Sequence, residues 1–181
     1  DYPPGYMLVL WPLGLIGRLL GTGCTGMMTK LPAFLCDLAA IVLLYRFAKR
    51  RHSPRSAMWL SALYALHPLV YVTGAAWGQV DSVPALLLLI VILLAFESRW
   101  ISALPVYVLA VLMKPQALMF GPLGLVALIV DLTAHKRPGK LRGALYGMGI
   151  SLVVAAAVVV PFSLKQPDWS WLIRLYGGTM S

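Results

Sequence analysis

Residues 143–162 read GALYGMGISLVVAAAVVVPF, twenty residues without a formal charge. A helix of that length rises about 30 Å, the thickness of the hydrocarbon layer of a bilayer. Five further apolar runs lie upstream of it, at 31–47, 57–73, 83–96, 101–113 and 117–130. A full crossing takes roughly 17–25 residues. The runs at 31–47, 57–73 and 143–162 are expected to meet it, and the three in the middle are short. Short apolar helices suit a thinned bilayer, or packing inside protein beside a cavity. The reading is therefore all-α: a polytopic transmembrane bundle of about six membrane helices, one transmembrane domain over residues 1–181.

Composition agrees. Hydrophobic residues make up 60% of the 181-residue chain and charged residues 12%. A soluble domain is about half apolar and about a quarter charged. Too little charge remains here to solvate a globular surface, so lipid is the expected solvent. The net charge of +9 would suggest nucleic acid in a soluble protein. Here the basic residues sit between apolar runs and read as topology instead. The two cysteines, Cys24 and Cys36, lack metal-ligand spacing, and no disulfide or metal site is expected. No signal-peptide pattern opens the chain. It starts at Asp1 inside a loop-like motif and stops at Thr179-Met180-Ser181, which reads as a piece of something longer.

Lys and Arg set the orientation. Arg46, Lys49, Arg50, Arg51, Arg55, Arg99, Lys136, Arg137, Lys140 and Arg142 fall in three alternate loops, ten of the fifteen basic residues. Those loops are expected to face the cytoplasm. The segments at 77–81, 114–116 and 165–181 then face outward. The stretch at 6–20 is short, holds Pro12 and carries Arg18. If it crossed the membrane, Asp1 would be cytoplasmic. The preferred reading is an interfacial or re-entrant helix that leaves Asp1 outside.

The polar residues that need explaining gather on that outer side. Asp1-Tyr2-Pro3-Pro4-Gly5-Tyr6 is held extended by its prolines, and is equally readable as a plain loop leading into a helix. Trp77-Gly78-Gln79-Val80-Asp81-Ser82 follows His67-Pro68. Asp81 and Ser82 are expected to cap a helix with Pro84 in its first turn. Trp77 and Gln79 beside them fit a sugar, by stacking and hydroxyl contacts, although Trp77 also suits a lipid anchor and His67 a helix end. Lys114-Pro115-Gln116 puts a lysine between two short apolar helices, where it needs a partner or a role. An ammonium there suits an anionic headgroup or a phosphate; the alternative is snorkelling to the interface. Asp37 lies inside the first long helix. A structural intramembrane pair is expected for it, with Lys30, Lys114 or a group beyond this chain as partner. Phosphate-binding glycine loops, His-Glu metal motifs and nucleophile elbows do not occur.

In this order the motifs resemble a family. Asp1-Tyr2-Pro3-Pro4, Lys30-Leu31-Pro32, the Asp37 helix, Trp77-Gly78-Gln79 with Asp81, and Lys114-Pro115-Gln116 are similar to the motif order of multi-spanning GT-C glycosyltransferases. The nearest likeness is to bacterial relatives of the GPI-anchor second mannosyltransferase. The dolichyl-phosphate-glucose glucosyltransferases of N-glycan assembly share the Asp-Tyr-Pro-Pro motif. Leu175-Tyr176-Gly177-Gly178-Thr179 looks like the start of a further outer-loop motif.

The resemblance implies an inverting enzyme of a bacterial plasma membrane, its active loops outward. It would move a hexose, mannose or glucose, from a polyprenyl-phosphate donor to a glycan or glycolipid acceptor. Its partners are that lipid-linked donor, the acceptor and membrane lipids, with no nucleic acid and no cofactor or metal. In such families the base usually lies upstream of Asp-Tyr-Pro-Pro, so it is expected outside this chain, with Asp1 the fallback. By itself the chain need not be active. Lys114 is assigned to the phosphate. Tyr2, His67, Trp77, Gln79, Asp81, Gln116 and Tyr176 are assigned to substrate contacts. A transporter or flippase is the rival reading, since short, broken mid-chain helices also occur there; no inverted repeat is visible. A non-catalytic membrane subunit is the third.

Overall fold

Proline punctuates the helices. In the computed structural model, which describes residues 4–19, 21, 26–70, 72, 81–134 and 138–164, helices open on Pro4, Pro54, Pro68, Pro115 and Pro138. At the first position of a helix the missing N–H costs nothing, and the ring presets φ. The elements in chain order are α1 (Pro4–Leu19), α2 (Gly26–Lys49), α3 (Pro54–Ala65), the single turn α4 (Pro68–Val70), α5 (Ser82–Phe96), α6 (Trp100–Met113), a 3-10 helix (Pro115–Phe120), α7 (Gly121–Ala134) and α8 (Pro138–Ser163). The described residues contain no strand, and the all-α reading stands.

Three helical stretches are long and apolar enough to cross a membrane: Thr29–Lys49, Pro115–Ala134 and Gly139–Ser163. Gly5–Leu19, Ser82–Phe96 and Trp100–Met113 are shorter apolar helices. Two expectations change. The run at 57–73 is not one long helix. Pro68 disfavours helix at the residue before it, α3 ends at Ala65, and the N–H groups of Leu66 and His67 close it on the Ala62 and Tyr64 carbonyls. The run at 117–130 is longer than it looked, because the 3-10 helix leads into α7 through Gly121 in right-handed helical geometry. Large apolar side chains stand exposed along these helices. Leu123 on α7 is 67% exposed and Leu152 on α8 74%, as lipid-facing residues should be.

The chain divides into two compact units, residues 9–89 and residues 1–8 with 90–181. In the first, α2 and α3 pack as a hairpin, with small residues buried on both: Ala33, Ala40, Ala57 and Ser61. Small side chains let helix backbones approach closely where lipid gives no hydrophobic drive. The turn between them is basic. The N–H groups of Arg51 and His52 return to the Ala48 carbonyl at 3.0 and 2.8 Å. Ser53 caps α3, accepting from the Ser56 N–H at 3.2 Å, and the Arg51 guanidinium lies over the Phe47 ring.

In the second unit α6 packs along α8. A Cβ at Gly147 would stand 2.6 Å from the Trp100 carbonyl oxygen, so only glycine lets the two backbones meet there. Trp100, Ala103 and Ala144 form the core at this crossing. A polar clasp closes the same end. Asp131, near the end of α7, accepts from Trp100 Nε1 at 2.8 Å and from Ser98 Oγ at 2.9 Å. Lys140, in the first turns of α8, bonds Asp131 at 2.5 Å and Ser98 at 3.1 Å. One carboxylate thus joins the α5–α6 connection, α7 and α8. It also sets direction, with α7 antiparallel to α6 and α8 reversing again.

Candidate functional site

Lys114 is built into a break between two helices. Pro115 pushes its predecessor out of helical geometry, and Lys114 is extended, at φ −149° and ψ 116°. Its backbone still serves both sides: the N–H donates to the Ala110 carbonyl at 3.0 Å, and the carbonyl accepts from the Ala117 N–H at 3.0 Å. The side chain is half-buried, and Gln116, in the first turn of the 3-10 helix, is exposed. Tyr107 holds the turn against α6, its hydroxyl donating to the Ala117 carbonyl at 3.2 Å with Leu118 at 3.4 Å. Gly121 leaves room for that hydroxyl, since a Cβ there would lie 2.8 Å from it.

The first turn of α1 sits on the last turn of α6, next to Lys114. A Cβ at Gly5 would stand 2.6 Å from the Leu112 carbonyl oxygen and 2.9 Å from the Met113 nitrogen. Tyr6 beside it is only 6% exposed. Two stretches far apart in sequence, the start of α1 at Gly5 and the end of α6 at Leu112 and Met113, thus meet within one unit.

A second constellation lies in the other unit. Asp37, midway along α2, accepts from Ser82 Oγ at 2.9 Å and from the Tyr64 hydroxyl at 3.3 Å. Its partners here are hydroxyls and neither Lys30 nor Lys114: Tyr64 at the end of α3 and Ser82 at the start of α5 both reach it on α2. Ser82 opens α5, and its hydroxyl donates to Asp37. Asp81 precedes α5, and its carbonyl accepts from the Ala85 N–H at 3.0 Å. Pro84 does lie in the first turn of α5. His67 is exposed, and its Nδ1 accepts from the Leu69 N–H at 3.3 Å, the helix-end role that competed with substrate contact. Asp1, Tyr2, Trp77, Gln79 and Tyr176 lie outside the described residues.

Neither the Gly5 contact nor the Asp131 clasp was anticipated. Gly5, directly after Pro3-Pro4, was a hint of close approach; Asp131, an acid inside an apolar run, was a hint of a buried partner. Among the described residues no cluster of three His, Cys, Asp or Glu side chains could hold a metal ion. Chemically, the Lys114 turn sets a half-buried ammonium beside an apolar surface.

The family model for dolichyl-phosphate-mannose-protein mannosyltransferases matches residues 1–161. The chain belongs to this family. The narrower kinships suggested by the motifs are not what matches. The match makes the protein a membrane glycosyltransferase of GT-C type, for which a lipid-linked sugar donor and a glycan acceptor are the general expectation. Its apolar helices are those of an integral membrane protein. No curated protein and no solved structure matches.

Proposed function

We propose that this mannosyltransferase-family chain carries the donor side of an inverting hexose transfer from a polyprenyl phosphate, on the outer face of a bacterial plasma membrane. The observation that supports the reading best is the seating of Gly5 on Leu112 and Met113, the two residues before Lys114. Lys114 holds the phosphate. As the bond from the sugar to the phosphate breaks, negative charge grows on the leaving oxygen, and a fixed ammonium stabilises it. A carboxylate takes the proton of the acceptor hydroxyl as that oxygen attacks the anomeric carbon from the opposite side. The base is a residue upstream of this chain, with Asp1 as the fallback. Asp81, Trp77 and Gln79 contact sugar or acceptor, with Tyr2, His67, Gln116 and Tyr176 in support. The sugar is mannose or glucose, and no cofactor is required.

The test uses the full-length protein in membrane vesicles supplied with polyprenyl phosphate bearing labelled mannose or glucose. Label should pass to a glycolipid or glycan, with the product anomer opposite to the donor's. Retention of the donor's anomeric configuration, or absence of transfer with both sugars in folded protein, would contradict the proposal.

A further inference from the structure

Four serines are buried among the described residues: Ser61, Ser82, Ser151 and Ser163. Three turn their hydroxyls back onto their own helix, Ser61 to Ala57, Ser151 to Gly147 and Ser163 to Val159, at 2.9, 2.7 and 3.0 Å. That is the ordinary way for a serine to satisfy itself inside an apolar helix. Ser82 alone of the four crosses to another helix, and it does so beside Asp81. Its acceptor, Asp37, is an acid in the middle of an apolar helix, where a carboxylate is costly to keep. A hydroxyl that donates to a carboxylate makes a charge-assisted bond, stronger than a neutral one. Tyr64 supplies the other donor, and with it the end of α3 is held to the same point.

We propose that Asp37 is a positioning residue for transfer: through Ser82 it fixes the backbone that presents Asp81. This rests on the reading above that Asp81 meets sugar or acceptor. The geometry assigns each carboxylate oxygen one hydroxyl, so Asp37 sets the register of α5 against α2 and the place of Asp81 with it. Asp37 touches no substrate in this account. Its replacement should therefore act on how Asp81 is held rather than on the bond-breaking step.

Amide hydrogen exchange at Ala85, whose N–H bonds the Asp81 carbonyl at 3.0 Å, reports on that backbone directly. It would be measured on the full-length protein in lipid nanodiscs. Exchange should quicken about tenfold in Ser82→Ala and in Asp37→Ala, the change expected when a hydrogen bond to a charged group is lost. The double variant should be no faster than Asp37→Ala, which already removes the Ser82 bond along with the Tyr64 one. Asp37→Asn, which keeps an acceptor oxygen, should recover part of the protection. The His52 amide in the basic turn should not change. If Asp37→Ala fails to fold, Ser82→Ala and Tyr64→Phe carry the test alone. Unchanged Ala85 exchange in Ser82→Ala, or rates that multiply in the double variant, overturns the clasp. Transfer kinetics then test its role: a KM that rises severalfold with kcat nearly kept supports positioning, and an unchanged KM overturns it. A wild-type protein that transfers no sugar from polyprenyl phosphate overturns the role in transfer with the functional reading, while Ala85 exchange still decides whether the clasp exists.

Discussion

Gly5 meets Leu112 and Met113, the two residues before Lys114, through a contact that admits no side chain. The Cβ of an alanine at position 5 would press into the Leu112 carbonyl, and backbone cannot step aside as a flexible side chain can. Gly5→Ala is expected to lower stability by about 1–3 kcal/mol, as overpacking does. It should be visible as a lower unfolding temperature in detergent and as weakened transfer. Gly14 sits in the same helix with nothing within 4 Å of its would-be Cβ. Gly14→Ala should be neutral or stabilising, because alanine is the better helix former by about 1 kcal/mol. Equal effects at the two positions would contradict the close approach. At this scale the sequence was partly legible. Pro115 announced the break at Lys114, and His67 before Pro68 announced a helix end. The partners of Asp37 were hidden, since Tyr64 and Ser82 are ordinary residues and only the fold makes them neighbours.

Among the elements, α6, α7 and α8 are closed at one end by the pair of Asp131 and Lys140, whose side chains are 16% and 18% exposed. Breaking a largely buried ion pair leaves one charge stranded. Lys140→Met should therefore destabilise the protein by about 3 kcal/mol, while Lys140→Met with Asp131→Leu should recover much of that loss. Thermal unfolding in detergent reads both. A single variant no worse than the double would show that the pair does not tie the helices together. The existence of these helices was plain from apolar length and from proline. Their ends were less so: the run at 57–73 stopped early at Ala65, and the run at 117–130 gained a 3-10 turn. Packing faces could not be read at all. A helix apolar all round has no polar stripe to mark which side meets protein and which meets lipid, and small residues such as Gly147 and Ala103 carry that information only once the crossing is known.

For the whole molecule, the charge distribution makes a claim about direction. Ten of the fifteen basic residues cluster around alternate connections, some of them in the adjoining helix ends, and such positive clusters stay cytoplasmic. With the native cysteines replaced, Ser53→Cys and Gln116→Cys should label from opposite faces of intact cells. Gln116→Cys should react with an impermeant reagent added outside, and Ser53→Cys only after permeabilisation. Labelling of both from one side would overturn the orientation. Class and membrane character were legible because hydrocarbon thickness and the cost of charge in lipid act on composition itself. The site was legible only as an order of short motifs, because its geometry arises from contacts between distant stretches.

The most direct measurement compares wild type, Lys114→Ala and Lys114→Arg for sugar transfer from polyprenyl phosphate, in vesicles where all three are equally abundant and folded. If Lys114 holds the leaving phosphate, Lys114→Ala should lose at least about 100-fold in rate, the usual scale for removing one stabilising group, and Lys114→Arg should keep a measurable part by retaining the charge. Full activity in Lys114→Ala would contradict the account.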